Sequence, residues 1–284
     1  MKILAIETTG KHPGAALAET EGERVLAYKE AEGELNHTEL LIPLISELLD
    51  EAGIRKSELG AVAVSAGPGS FTGIRVGVST ARALCQGLGI PGIRVPTLPS
   101  FIFNEPGYRG VVCPVFDARR NEVYAGAYLP KSGACANELH DGALIEAGAY
   151  KLADYLDMLK EALRGAEDIP NEIRFYGDGA LTYRAEIESW QKESASSLGD
   201  IKISFNEDLQ SGFQRAESIA RLALRMLREA GAEAEGSVLL PVSSILPIYL
   251  RRSEAEIKLE QGLLGTRQKK IQSRFRRRGK KIDE

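Results

Sequence analysis

Short apolar runs separated by turn residues open the chain. Lys2–Glu7 (KILAIE) closes on Thr8, Thr9 and Gly10, Gly14–Glu19 follows, and Arg24–Lys29 comes after the turn-like pair Glu21–Gly22. Such runs predict three strands joined by tight turns. A helical period then takes over, with Leu40, Leu41, Leu44, Ile45, Leu48, Leu49 and Ala52 on one face. Asn36, followed three residues later by Glu39, supplies a capping box, and Pro43 predicts a kink or a later start. Gly60–Ala66 (GAVAVSA) is continuously apolar, as in a strand covered on both faces. A glycine-rich turn, Gly67–Gly73, leads into a helix reaching about Gly89. Strands are predicted at Ile93–Pro96, Val111–Phe116 and Glu122–Tyr128, then helices at Tyr150–Leu163 and Gln214–Ala230 alternating with short strands at Arg174–Gly177 and Ile201–Ser204. No internal repeat is visible in the letters.

Three strands, a crossover helix, a buried strand and another helix form a βββαβα order. It predicts an α/β fold of the ribonuclease-H-like, actin-like (ASKHA) kind, a mixed sheet with helices against it. The 284 residues suit one large domain or two modest subdomains. No apolar run approaches the ~20 residues that span a bilayer. The apolar start ends at Glu7, too soon for a signal peptide, so a cytoplasmic chain with no membrane contact is expected. Cys85, Cys113 and Cys135 are far apart and lack CxxC spacing, which predicts reduced thiols and no zinc site. Charge is divided unevenly. Gly265–Glu284 carries nine basic residues against two acidic ones, whereas residues 1–264 carry 27 basic and 38 acidic. An acidic body and a basic tail meet different partners.

The segment GPGSFTGIRVG, Gly67–Gly77, is the densest signal. A glycine-rich turn between a buried strand and a helix can offer N–H groups to an anion, which makes Thr8, Thr9, Gly69 and Ser70 candidate phosphate or nucleotide contacts. The competing reading is packing. Gly73, Gly77 and Ala81 recur every four residues and leave one helix face nearly bare; from pattern alone packing is favoured. ETTG, Glu7–Gly10, occupies the place where actin-like ATPases bend a hairpin around phosphates, but it carries Glu where those enzymes use Asp. GDGA, Gly177–Ala180, is too short to identify an adenosine site. Among His12, His37 and His140 there is neither an HxxxH pair nor a triad setting, which argues against a peptidase. Asp117, Arg119, Arg120 and Glu122 form a charged turn that reads equally as a polar site or a solvated hairpin. Arg274, Arg276, Arg277 and Arg278 in the tail are candidate nucleic-acid phosphate contacts, with a solvated extension as the alternative.

In order along the chain, ILAIETTG, NHTELLIPLISELL, VAVSAGPGSFTGIRVGVSTARAL, FDARRNEVYAGAY and PIYLRR resemble the TsaB (YeaZ-like) family over residues 1–252. The resemblance implies a two-subdomain actin-like chain, 1–105 and 106–252, with 253–284 as a charged extension. It implies no catalysis of its own, but partnership with a TsaD-type catalytic paralogue and a TsaE-type ATPase. Together they make threonylcarbamoyladenosine beside the tRNA anticodon, with tRNA met through the complex. The catalytic relative holds a metal with two histidines where this sequence has Thr97 and Phe101. The partner is met through the first subdomain's helices, which map onto Leu40, Leu44, Leu48, Gly73, Arg75, Gly77, Ala81 and Arg82. The same surface would form a homodimer in isolation, and a nucleotide at the partner interface is left open. On this reading Gly77→Leu abolishes pairing and spares the fold. The alternative is an actin-like ATPase or phosphotransferase.

Overall fold

The computed structural model describes residues 1–31, 37–130, 143–165, 170, 172–198 and 201–251. Asn36, Cys135, His140 and the tail arginines 274, 276, 277 and 278 lie outside the described residues, as does the rest of the 253–284 extension. Residues up to Ile248 form one compact unit.

The first sheet contains β1 (Lys2–Glu7), β2 (Gly14–Glu19), β3 (Arg24–Glu30), β4 (Leu59–Gly67) and β5 (Gly92–Pro96), in the order β3-β2-β1-β4-β5. β1 and β2, like β2 and β3, pair antiparallel, while β1–β4 and β4–β5 are parallel. Two helices, α1 (His37–Glu51) and α2 (Phe71–Leu88), make the parallel connections. α1 runs through Pro43 without the later start that the proline predicts. Alternation along β1 and β4 divides the side chains between two layers. Leu4, Ile6, Val62 and Val64 face Leu41, Leu44, Leu48, Ile74 and Val78 of α1 and α2. Ile3, Ala5, Ala61 and Ala63, with Ala16 and Ala18 of β2, face the opposite layer.

The second sheet contains β6 (Val111–Asp117), β7 (Glu122–Tyr128), β8 (Ala143–Lys151), β9 (Glu172–Tyr176) and β10 (Lys202–Phe205), in the order β10-β9-β6-β7-β8. β8 lies where the helical stripe from Tyr150 is expected to begin, and the helix itself, α3 (Leu152–Gly165), starts after it. α3 and α5 (Arg184–Leu198) cover one face, Tyr155, Leu159, Ile187 and Trp190 meeting Cys113, Val115, Val123 and Phe175. The short α4 (Asp178–Thr182) follows β9 directly. Leu98 and Phe101, on the single helical turn after β5, fill the other face against Val112, Phe116, Tyr128 and Tyr176.

The last long helix, α6 (Ala216–Ala230), returns to the first sheet and closes its second face with Ala216, Ile219, Ala220 and Ala223. Alanines on both sides let helix and sheet approach closely. Residues 106–252 therefore include a layer of the first sheet's core, and a cut at 105 divides the sheets but not the packing. Among the described residues no helix is long and apolar enough to cross a membrane.

Candidate functional site

Five segments that are scattered in the sequence line one cleft of about 570 Å³. Thr9, Gly10 and Lys11 come from the β1–β2 turn, Gly69, Ser70 and Phe71 from the β4–α2 joint, and Asp117, Ala118 and Arg119 from the β6–β7 turn. Asp178 comes from the β9–α4 joint, and Phe213 and Gln214 from the segment before α6. Topology causes the convergence, because ligand crevices form beyond the carboxyl ends of parallel strands and β1, β4, β6 and β9 all end here. Lys11 lies over the Phe213 ring at 5.7 Å, and Arg119 Nη1 is 3.6 Å from Asp117 Oδ2.

Asn104 fixes the segment that carries Phe213 and Gln214. Its Nδ2 donates to the carbonyls of Ser211 (2.8 Å) and Phe213 (2.7 Å), and its Oδ1 accepts from Ser218 Oγ (2.6 Å). This buried amide ties the strap after β10 to both α6 and the connector after β5. The sequence gives no sign of the role, since Asn104 belongs to no motif.

Several donors of the two candidate phosphate loops are already engaged. Glu7 is fully buried, and its Oε1 accepts from Thr9 N, from Thr9 Oγ1 (2.6 Å) and from Gly10 N (3.2 Å). Thr8 Oγ1 donates to the Gly73 carbonyl at 2.7 Å, and Ser70 N donates to the Thr9 carbonyl at 2.9 Å. Ser70 Oγ caps α2 by accepting from Gly73 N at 3.3 Å. Of Thr8, Thr9, Gly69 and Ser70, only Ser70 is exposed. Thr8 is enclosed, and Gly69 is set directly against Thr9. These contacts make an internal lock between β1 and α2, where the sequence left packing and phosphate binding as the two readings.

The bare ridge on α2 also faces inward. Gly73, Gly77 and Ala81 are buried, and a Cβ at Gly73 or Gly77 would overlap the carbonyl or the hydroxyl of Thr8. Leu44 and Leu48 lie in the core and Leu40 is half-buried. Gly73, Gly77, Ala81, Leu44 and Leu48 form the chain's own interior, which corrects their assignment to a partner surface, while Leu40 stands at its edge. Arg75 and Arg82 are exposed, with Arg75 over the Phe71 ring at 3.9 Å. Phe71 and Ile42 are the large exposed apolar side chains of α2 and α1.

Thr97 and Phe101 are both buried. Thr97 Oγ1 is 2.7 Å from Ser65 Oγ, and the Phe101 ring lies 5.5 Å from that of Phe116. Among the described residues no cluster of three His, Cys, Asp or Glu is placed to hold a metal ion. Burial pushes the Cys113 thiol up to about 12 and that of Cys85 up to about 11, so both resist ionisation.

Burial also raises the Glu7 carboxyl above its ordinary value, against opposing hydrogen bonds from the Thr9 hydroxyl and the backbone of Thr9 and Gly10. The folded state therefore holds this proton more tightly than the unfolded chain. Its stabilising contribution is complete below the ordinary carboxylate pKa and is lost as pH rises through the raised one. Glu30 and Asp178, likewise raised mainly by burial, add slopes of the same sign. Denaturant melts over a pH series should show a smaller loss of stability with rising pH in Glu7→Gln than in the wild type; parallel curves would contradict the assignment.

The paired sheets with a cleft at their strand ends define an actin-like α/β protein of ribonuclease-H-like topology. The chain belongs to the TsaB (YeaZ-like) family. It is 31% identical over 258 residues to the tRNA threonylcarbamoyladenosine biosynthesis protein TsaB of Bacillus subtilis, covering 91% of this chain and 97% of that one. It is 34% identical to the TsaB of Haemophilus influenzae, with coverage of 91% and 97%. Residues 31–259 match the family model described as TsaD, tRNA N6-adenosine threonylcarbamoyltransferase. The solved structure of YeaZ from Pseudomonas aeruginosa shares the fold, with a TM-score of 0.60 at 23% identity over 88% of this chain and 99% of that one.

Proposed function

We infer that the chain is a non-catalytic partner of a TsaD-type threonylcarbamoyltransferase in the formation of threonylcarbamoyladenosine in tRNA. The observation that carries this reading is what occupies the would-be metal positions. Neither the Thr97 hydroxyl nor the Phe101 ring replaces an imidazole as an iron or zinc ligand, and both are committed to the interior, Thr97 through Ser65 and Phe101 through an aromatic cluster. The family relationship supplies the pathway. With the small-residue ridge turned inward, pairing falls to the outer faces of α1 and α2, where Ile42 and Phe71 supply apolar area and Arg75 and Arg82 supply charge. The same faces would pair two copies of the isolated chain.

Reconstitution tests this. Purified catalytic paralogue, TsaE-type ATPase, threonylcarbamoyl-adenylate supply and unmodified tRNA should yield modified adenosine only when this chain is added, and the chain alone should yield none. The double variant Arg75→Glu with Arg82→Glu should weaken co-purification with the paralogue by roughly tenfold or more while melting like the wild type. Modification that proceeds equally well without the chain would remove the reading.

A further inference from the structure

We propose that Glu7 is the chain's own occupant of an anion-binding nest, and that it closes the Thr9–Lys11 loop to phosphate-bearing ligands. Three donors, two of them successive backbone N–H groups, converge on the single oxygen Oε1. Turns hold a phosphate oxygen in the same way, with adjacent N–H groups aimed at one point. Thr9 and Gly10 line the cleft, yet their donors aim at a side chain from their own strand.

The arrangement is costly in one respect and favourable in another. Glu7 Oε2 is buried and makes no hydrogen bond, which opposes folding. Oε1 offsets this by accepting from two backbone N–H groups and the Thr9 hydroxyl. A carboxyl held in this way is a seal rather than a ligand for something in the cleft.

The rest of the cleft offers phosphate little compensation. Ser70 N is bonded to Thr9 O, Gly73 N to Ser70 Oγ and Ile74 N to Ser70 O, so donors at the start of α2 are used as well. Lys11 and Arg119 face the cleft together with Asp117 and Asp178, two cations against two carboxylates. The amides of Thr9, Gly10, Ser70, Gly73 and Ile74 are thus kept on partners within the chain, and the four charged side chains of the cleft supply no net positive field to draw a polyanion. This inference goes beyond the accessory reading and stands or falls separately from it.

Amide NMR of the full chain during titration with inorganic phosphate and with pyrophosphate tests the idea. In the wild type, the Thr9 and Gly10 amides should stay unmoved by either anion. Glu7→Ala, which opens the nest, should gain saturable shifts at those two amides and a melting temperature that rises with pyrophosphate. Glu7→Gln keeps an acceptor oxygen in the nest and should remain silent. Movement of the wild-type amides would overturn the proposal, as would a folded Glu7→Ala that fails to respond. If Glu7→Ala does not fold, the wild-type titration decides alone: silence supports the seal, and a response removes it.

Discussion

Gly73→Ala is expected to destabilise the chain by about 3 kcal/mol, the upper end of what overpacking by one methyl ordinarily costs. The added Cβ would fall on the Thr8 carbonyl, which is backbone and cannot rotate away. Thr8 is held in turn by its hydroxyl's bond to Gly73 O, so relief requires α2 to lift from β1. Gly77→Leu should do more damage, since its side chain would meet both Thr8 and Val64 beneath the same helix. It therefore does not serve as a clean probe of partner pairing, because the fold fails first. Gly87→Ala is the control. It lies on the same helix with open space where its Cβ would go, and it should melt at or slightly above the wild-type temperature. Denaturant titration of the three variants reads this directly, and a Gly73→Ala protein as stable as the wild type would show that the helix does not rest on Thr8.

Residues 1–105 expressed alone are expected not to fold, even though they contain all of the first sheet and both of its crossover helices. The missing element is α6. Without it, Ile3, Ala5, Ala16, Ala18, Ile93 and Val95, which are fully buried in the intact chain, would form an open apolar sheet face. An uncovered face of that kind drives association rather than folding. Circular dichroism and amide dispersion on this fragment should report an unfolded or aggregated chain. Adding a peptide spanning residues 206–248 should restore native-like dispersion, because it brings α6 with the strap anchored by Asn104. A well-dispersed monomer from residues 1–105 by themselves would contradict the layering described above.

The first half of the fold was legible because its signals are local. Apolar runs, turns and a strong helical stripe mark β1 to α2, and Gly89 ends that helix where the glycine implied. β8 was missed because Ala143–Lys151 runs straight into the apolar spacing of α3 and has little turn chemistry between them. α5 carries too narrow a stripe, with Ile187, Trp190 and Ser194 its buried positions amid charged residues. The site was legible in pieces but not as a whole. Each polar segment stood out by its residues, while their meeting depends on sheet order. The small-residue ridge shows a different limit, because spacing of four reports close approach without saying what approaches. The engaged phosphate donors show another. A turn rich in N–H groups announces its donors, but only the fold shows that Glu7 consumes them.

The two sheets share one strand order, and the likeness extends below topology to individual bonds. β1 and β6 each end on a carboxylate that accepts from the backbone N–H two residues on, Glu7 from Thr9 N and Asp117 from Arg119 N. Each following parallel strand leads into its helix through a glycine at positive φ, Gly67 at 117° and Gly177 at 90°. Each of those helices then presses a second glycine onto the end of the first strand, Gly73 on Thr8 and Gly179 on Phe116 and Asp117. The two halves thus share a pattern of joints that their letters do not reveal. The halves differ chiefly in exposure. In the first the carboxylate is sealed inside, and in the second it faces the cleft beside an arginine. What the two halves hold in common is therefore a set of equivalent hydrogen bonds and close glycine contacts rather than residue identity.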